Sequence, residues 1–329
     1  MSEKYVIGID LGGTNTVIGL VDVKGHILAK DDTIKTQAHP DIEEYTDSIA
    51  AVIKKLATEN GCEGKLEGVG VGAPMANYYT GEIVNAANLP WKGIVPLGWL
   101  IESKTGIPTK VTNDANAAAI GEMKYGVAQG MKDFVYITLG TGVGSGIVAN
   151  GQLIYGHDGF AGEFGHIAVE SRTTGRQCGC GRRGCLETHV SATGIKRTAF
   201  ELMGTMTCDS ELRSIPYDKF EAKMLSDAAA KNDPIALEAF ERTGKMLGLA
   251  LADLTAITSP EAIILFGGLA NAGDYILRPT YRHMEENQLT VFKGKVKLLM
   301  SGIQDKNVAI LGGAALIWKQ HLEAVIENY

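Results

Sequence analysis

The sequence has no excess of basic charge. Its 31 lysines and arginines are outweighed by 38 acidic residues, giving a net charge of −7 and a pI near 5.6. A basic nucleic-acid footprint is therefore missing at the level of the whole chain. Also lacking is any uncharged apolar run near the roughly 18 residues that span a bilayer. The longest candidate, Val308 to Trp318, contains two glycines. The opening Met-Ser-Glu-Lys has no basic region leading into an apolar stretch, so no signal peptide is visible. Cysteines number only five, an odd count, and three of them fall within eight residues. That set argues against a disulfide framework and for metal or redox chemistry. The expectation is a soluble, cytoplasmic protein with no nucleic acid and no membrane as partner.

Glycine, by contrast, is abundant: 41 of 329 residues, about 12% where roughly 7% is usual. The glycines cluster in short apolar segments, as tight backbone turns around a ligand would require. The length suggests about two domains, and 45% apolar residues suffice for a sizeable core. No linker or low-complexity stretch separates two beads, so the domains are expected to share chain crossings.

Tyr5 to Asp10, Leu11-Gly12-Gly13-Thr14-Asn15 and Thr16 to Asp22 read as strand, Gly-rich turn and strand. A third strand is expected over His26 to Lys30. A helix opens near Asp41, with Glu44 three residues on as in a capping box and a stripe of Ile42, Tyr45, Ile49, Val52, Ile53 and Leu56. Leu66 to Gly72 is a buried strand running into Ala73-Pro74. The hairpin then recurs. Phe134 to Leu139 leads into Gly140-Thr141-Gly142-Val-Gly144 and Ser145 to Ala149, with Gly12 matching Gly140 at an offset of 128 and Gly25 matching Gly151 at 126. The alternative is that two Gly-rich hairpins are alike by composition alone. Further on, Asp233-Pro234 caps a helix over Ile235 to Ile257, Ala262 to Phe266 is a strand ending at Gly267-Gly268, and Asn307 caps a closing helix from Val308 to about Glu327. Strands alternating with helices place the chain in the α/β class.

Both hairpins have the chemistry of phosphate cradles, since glycine lets backbone N–H groups approach an anion and a Thr hydroxyl adds a donor. Asp10, at the end of the first strand, could hold Mg²⁺ directly or through water. Neither a P-loop nor a strand-bound G-x-G-x-x-G opening a helix is present. Asn113-Asp114 opens an Ala-rich helix. Asp114 reads either as a cap for orphan N–H groups or as a carboxylate base; in both readings the helix dipole keeps its pKa from being high.

The strongest single pattern is His166, Cys178, Cys180 and Cys185, spaced H-x11-C-x-C-G-x-x-G-C. Three thiolates and an imidazole suit a closed, structural Zn²⁺ site; the alternative is three buried or disulfide-linked thiols beside an unrelated His. Cys62 and Cys208 stand apart as packing residues. Glu163 and Glu187 flank the loop, as surface charges or as acceptors for the hydroxyls of a polyol.

Taken in order, Asp10-Leu-Gly-Gly-Thr14, Asn113-Asp114-Ala-Asn116, Leu139-Gly-Thr-Gly-Val-Gly-Ser-Gly146, Gly162-Glu-Phe-Gly-His166 and Cys178-Gly-Cys-Gly-Arg-Arg-Gly-Cys-Leu-Glu187 resemble the ROK sugar kinases. The resemblance spans essentially the whole chain. It implies a two-domain actin-like/hexokinase (ribonuclease H-like) fold, with ATP and sugar in the interdomain cleft. A small domain is expected over residues 1–112 plus about 308–329, and a large one carrying the zinc loop over 113–307. The implied reaction is ATP-dependent phosphorylation of a hexose, with glucose converted to glucose 6-phosphate. Asp114 matches the general base; Asn113, Glu163, His166 and Glu187 match residues that hold the sugar. Asp10, Gly12, Gly13, Thr14, Gly140, Thr141 and Gly142 match the ATP and Mg²⁺ side, and Gly267 and Gly268 the adenosine side. His166 would serve both sugar and zinc. The resemblance also implies a homo-oligomer, a dimer or a tetramer.

One departure stands out: where the family usually has Gly after Gly72-Ala73-Pro74, this chain has Met75. Competing readings are a kinase for fructose, N-acetylmannosamine or N-acetylglucosamine, and a non-catalytic sugar sensor. A repressor would add an N-terminal helix-turn-helix, for which the strand starting at Tyr5 leaves no room.

Overall fold

The computed structural model describes residues 3–303 and 308–326. In chain order the strands and helices are β1 (Tyr5–Leu11), β2 (Asn15–Asp22), β3 (Ile27–Lys35), α1 (Ile42–Glu59), β4 (Leu66–Ala73), β5 (Ile83–Val84), β6 (Ile94–Val95), α2 (Leu97–Thr105), β7 (Thr109–Asn113) and α3 (Asp114–Tyr125). They continue as β8 (Phe134–Leu139), β9 (Val143–Ala149), β10 (Gln152–Leu153), α4 (Glu187–Val190), α5 (Ala192–Thr205) and α6 (Ala222–Ala229). The last are α7 (Pro234–Thr258), β11 (Ala262–Phe266), α8 (Asp274–Asn287), β12 (Lys297–Met300) and α9 (Val308–Ile326).

Two compact units result. The first comprises Met1–Met131, Leu153–Gly162 and Gly302–Tyr329; the second comprises Lys132–Gln152 and Glu163–Ser301. The chain thus passes between them four times, as the missing linker foreshadowed. Each unit is built on a five-stranded sheet, in the orders β3-β2-β1-β4-β7 and β10-β9-β8-β11-β12. In the first, β1 pairs antiparallel with β2 and parallel with β4, which is parallel to β7. In the second, β8 pairs antiparallel with β9 and parallel with β11, which is parallel to β12. The repeated hairpin is therefore the start of a repeated sheet, beyond what shared composition would produce.

In the first unit, α1 lays its stripe of Tyr45, Ile49, Ile53 and Leu56 into a core with Ile7, Ile9, Leu20, Val69 and Val71. Asp41 caps α1 by accepting the Glu43 N–H at 2.7 Å. β3 runs to Lys35, five residues beyond the expected end, because β2 pairs with it as far as Asn15↔Lys35. α9 lies so close to the sheet that a Cβ on Gly70 would sit 1.9 Å from the Gly313 carbonyl oxygen. α3 also packs on α9, with Gly121 against Gly312. This contact holds α3 in the first unit, which extends to Met131 rather than stopping at 112. In the second unit, Asp233 caps α7 through the Ile235 and Ala236 N–H groups, with Pro234 in the first turn as expected. α7 buries Leu247, Leu251 and Leu254 in the same core as Ile137, Ile263 and Leu265 of the sheet. Asn307, expected to cap α9, lies outside the described residues. Cys62 is buried in the first core and Cys208 packs on the second, as packing residues should.

Candidate active site and metal centre

In the first unit three parallel strands end side by side. Asp10 on β1 pairs with Gly72 on β4, and Gly72 pairs with Thr112 on β7. Open α/β sheets bind ligands at this carboxyl edge of their strands. α3 begins there, directly after β7. Asn113 caps it, its Oδ1 accepting the N–H groups of Ala115 at 2.9 Å and Asn116 at 3.4 Å. Asp114 Oδ1 accepts the Ala115 N–H at 2.8 Å. The room beside Asp114 is set by Gly72, where a Cβ would stand 3.5 Å from the Asp114 Cα.

The helix start was expected to keep the Asp114 pKa from being high. It is raised instead. The side chain keeps an exposed face, but protein crowds it, and this desolvation outweighs the N–H groups of Ala115 and of Asp114 itself that favour the charge. Asp10 is pushed up to about 6, by desolvation first and then by the charge of Asp114.

The first Gly-rich turn is held from behind by residues that the sequence did not single out. Thr36 Oγ1 donates to the Gly12 carbonyl at 2.8 Å, and the Gln37 amide donates to the carbonyls of Gly13 at 2.6 Å and Asn88 at 2.9 Å. Thr16 links Thr36 to the buried hydroxyl of Tyr45. The only sequence trace of this buttress is a polar Thr-Gln pair where β3 ends.

Met75, just past β4, has a left-handed backbone (φ 53°) and is 39% exposed. That conformation is unfavourable for a residue with a Cβ. The backbone thus keeps the shape that a glycine would take, while a long apolar side chain stands at the same edge of the unit as Asp10.

The second unit carries the other Gly-rich turn and the Cys/His loop. Within the turn, Gly140 N–H donates to the Gly142 carbonyl at 3.0 Å. Gly267 has a φ of 104°, and a Cβ there would be 2.6 Å from the Leu139 carbonyl oxygen, so its own backbone demands glycine. Gly140 and Gly268 differ. A Cβ on Gly140 would meet nothing closer than 4.0 Å and one on Gly268 would meet nothing, and neither has a left-handed φ. Among the described residues, no neighbour crowds these two glycines.

His166, Cys178, Cys180 and Cys185 bring their ligand atoms within 4.8 Å of one another. His166 Nδ1 lies 3.7 Å from Cys178 Sγ, and Cys180 Sγ lies 3.7 Å from Cys185 Sγ. A tetrahedral Zn²⁺ with bonds of about 2.3 Å separates its sulfurs by about 3.8 Å, so the donor set fits zinc in both chemistry and spacing. The loop closes through the Cys178 N–H, donated to the Arg182 carbonyl at 2.9 Å. Gly181 and Gly184 supply the left-handed turns, with φ of 85° and 71°. Arg172 donates to Cys185 Sγ at 3.4 Å and stands ready to offset the thiolate charge. The other ring nitrogen of His166, Nε2, lies 3.8 Å from the half-exposed Glu163 carboxylate. Glu187 reaches Cys178 Sγ at 3.4 Å and accepts the Val143 N–H at 3.0 Å. Among the sequence-predicted residues, the second unit thus groups Glu163, His166, Glu187 and the three cysteines with the second turn, and the first unit groups Asp10, Gly72 and Asp114 with the first.

The sequence profile of the ROK family matches residues 6–321. The chain is 38% identical over 325 residues to a glucokinase of Halalkalibacterium halodurans, covering 97% of each chain. It is 36% identical over 322 residues to a glucokinase of Thermotoga maritima, covering 96% of this chain and 98% of the relative. A solved ROK glucokinase from Streptomyces griseus, in complex with glucose and AMPPNP, superposes with a TM-score of 0.78 at 33% identity, over 96% of this chain and 99% of that one. The two sheet-based units are those of the actin-like two-domain fold, and the chain belongs to the ROK family.

Proposed function

We propose that this protein transfers the γ-phosphoryl group of ATP to a hexose, with glucose as the sugar and its 6-hydroxyl as the acceptor. The observation that carries the reading is the placement of Asp114 at the start of α3, on the same carboxyl edge of the sheet as Asp10, with its pKa raised by desolvation. A cap alone needs no crowded, proton-attracting carboxylate. A general base benefits from one, because a higher pKa strengthens the pull on an alcohol proton.

Asp114 accepts the proton of the attacking hydroxyl. The Asn113 side chain caps the helix with its oxygen, which leaves the amide hydrogens as its part suited to a sugar oxygen. Glu163, Glu187 and Nε2 of His166 hold the remaining hydroxyls. Gly12 and Gly140 donate their own N–H groups inside the turns, so phosphate recognition falls to Gly13, Thr14, Thr141 and Gly142. Gly140 and Gly268, two ATP-side glycines that no described neighbour crowds, leave room for the nucleotide.

Asp10 is the residue that would hold Mg²⁺. Its desolvated carboxylate, opposed by the Asp114 charge, is suited to a cation. When bound, the ion neutralises charge on the β- and γ-phosphates. His166, Cys178, Cys180 and Cys185 would hold Zn²⁺ with four protein ligands, a closed set that would fix the loop without activating water.

Incubation with Mg-ATP and glucose, followed by ³¹P NMR, tests the reading. Appearance of glucose 6-phosphate with stoichiometric ADP is expected. A phosphate on another hydroxyl, or ADP with no sugar phosphate, would count against it.

A further inference from the structure

Glu187 was singled out as a sugar-binding residue, yet one of its oxygens is engaged with its own protein. Oε2 accepts the Val143 N–H at 3.0 Å, and Oε1 lies 3.4 Å from Cys178 Sγ, which as a zinc thiolate has no proton to donate. The contact with the phosphate hairpin is close: a Cβ on Gly142 would lie 2.6 Å from Oε2. A side chain at 142 would push that carboxylate off the Val143 N–H, and the φ of Gly142 is not left-handed. Two more bonds join the same stretches of chain. Ala192 N–H donates to the Gly140 carbonyl at 2.8 Å, and Thr193 Oγ1 donates to the Thr141 carbonyl at 3.4 Å. Gly140, Thr141 and Val143 are thus each fastened to residues 187–193.

That segment starts two residues after the metal ligand Cys185 and is anchored to it. The Thr188 hydroxyl and N–H both donate to the Cys185 carbonyl, at 2.8 and 3.1 Å. The Arg176 guanidinium holds the Thr188 carbonyl at 2.8 Å, and Ser191 caps α5 through the Gly194 N–H. The segment is a short strap with the metal loop at one end and the phosphate hairpin at the other.

Building on the kinase reading, we propose that Glu187 is a positioning residue for the nucleotide as well as a sugar ligand, and that the strap 187–193 makes nucleotide affinity depend on the metal loop. Donors held in place bind a phosphate without the ordering cost that a loose hairpin incurs. Glutamine in place of Glu187 keeps an oxygen for the Val143 N–H but loses the charge; alanine loses both.

Binding of Mg-AMPPNP to zinc-loaded protein without sugar separates these roles, read alongside hydrogen exchange of residues 140–144. For Glu187→Ala the expected outcome is a Kd raised at least about fivefold, with faster exchange in the hairpin, as follows from losing one buried acceptor of a backbone N–H. Glu187→Gln is expected to bind Mg-AMPPNP within about twofold of the unmodified protein while glucose affinity falls, because one hydrogen bond survives. Thr193→Val, outside the sugar residues, supplies the same test should the alanine variant fail to fold; it should raise the nucleotide Kd with zinc content and glucose affinity unchanged. Unaltered exchange and unaltered Kd in Glu187→Ala would overturn the proposal. Tighter nucleotide binding in both Glu187 variants would also overturn it, because the carboxylate would then act only as a repelling charge. If the unmodified protein binds no Mg-AMPPNP, the kinase reading fails, and hairpin exchange in Glu187→Ala still decides whether the strap exists.

Discussion

Asp10 and Asp114 share the carboxyl edge of one sheet, where desolvation and then the Asp114 charge lift the Asp10 pKa to about 6. Two carboxylates that oppose each other's ionisation make a poor structural pair and a good seat for a cation beside a proton acceptor. Each has its own measurable consequence.

Asp114→Asn keeps the shape of the helix start and removes the base. We expect kcat to fall by about 10²–10⁴-fold with glucose affinity retained. The pH profile of the unmodified enzyme should carry the same signature. Activity requires the ionised base, so it falls as pH drops through a midpoint above the ordinary aspartate value of 3.8, in the direction of the Asp114 shift. An undiminished kcat in the variant would remove Asp114 from the mechanism.

Asp10→Asn should lose activity yet gain stability in Mg²⁺-free buffer. The folded-state pKa of about 6 exceeds the unfolded value near 3.8, so the folded protein holds a proton that the unfolded chain releases between these two values. Stability therefore declines as pH rises through that window. Asparagine has no such cost and should add about 1–3 kcal/mol at pH 7.5, with the advantage shrinking towards pH 4. Urea titrations at several pH values give the comparison; a variant no more stable at neutral pH contradicts the desolvation argument.

Cys180→Ser removes one metal ligand. Zinc content and glucose affinity should fall together, affinity by about 10-fold or more, because His166 presents Nδ1 to the cysteines and Nε2 to Glu163. Metal analysis paired with glucose titration decides the point. Full zinc loading with normal affinity would break the link.

Met75→Gly relieves a left-handed residue but frees the unfolded chain, two effects of roughly 1 kcal/mol that oppose each other. Stability should hardly move. Sugar preference should: KM values for glucose, mannose and the N-acetylated hexosamines are expected to change several-fold relative to one another. Identical KM values across the panel would show that the side chain does not meet the sugar.

The sequence carried what short-range chemistry encodes. The two Gly-rich turns, the Asp233-Pro234 cap and the His166/Cys178/Cys180/Cys185 quartet each lie within a short window, and each formed as read. Features that depend on distant partners stayed hidden. Glu187 meets Val143 across 44 residues, and Gln37 meets Asn88 across 51, with no local pattern marking either. The Asp114 pKa was misjudged because the helix start is a local signal, whereas the desolvation that outweighs it is not. The end of the first unit moved to Met131 because α3 packs on α9, nearly 200 residues later.

The central claim is tested most directly by ADP release from Mg-ATP in zinc-replete protein, with glucose, mannose, fructose, N-acetylglucosamine, N-acetylmannosamine and a blank without sugar. The account predicts turnover well above the blank, with glucose the preferred acceptor. Release no faster than the blank with every hexose would contradict it.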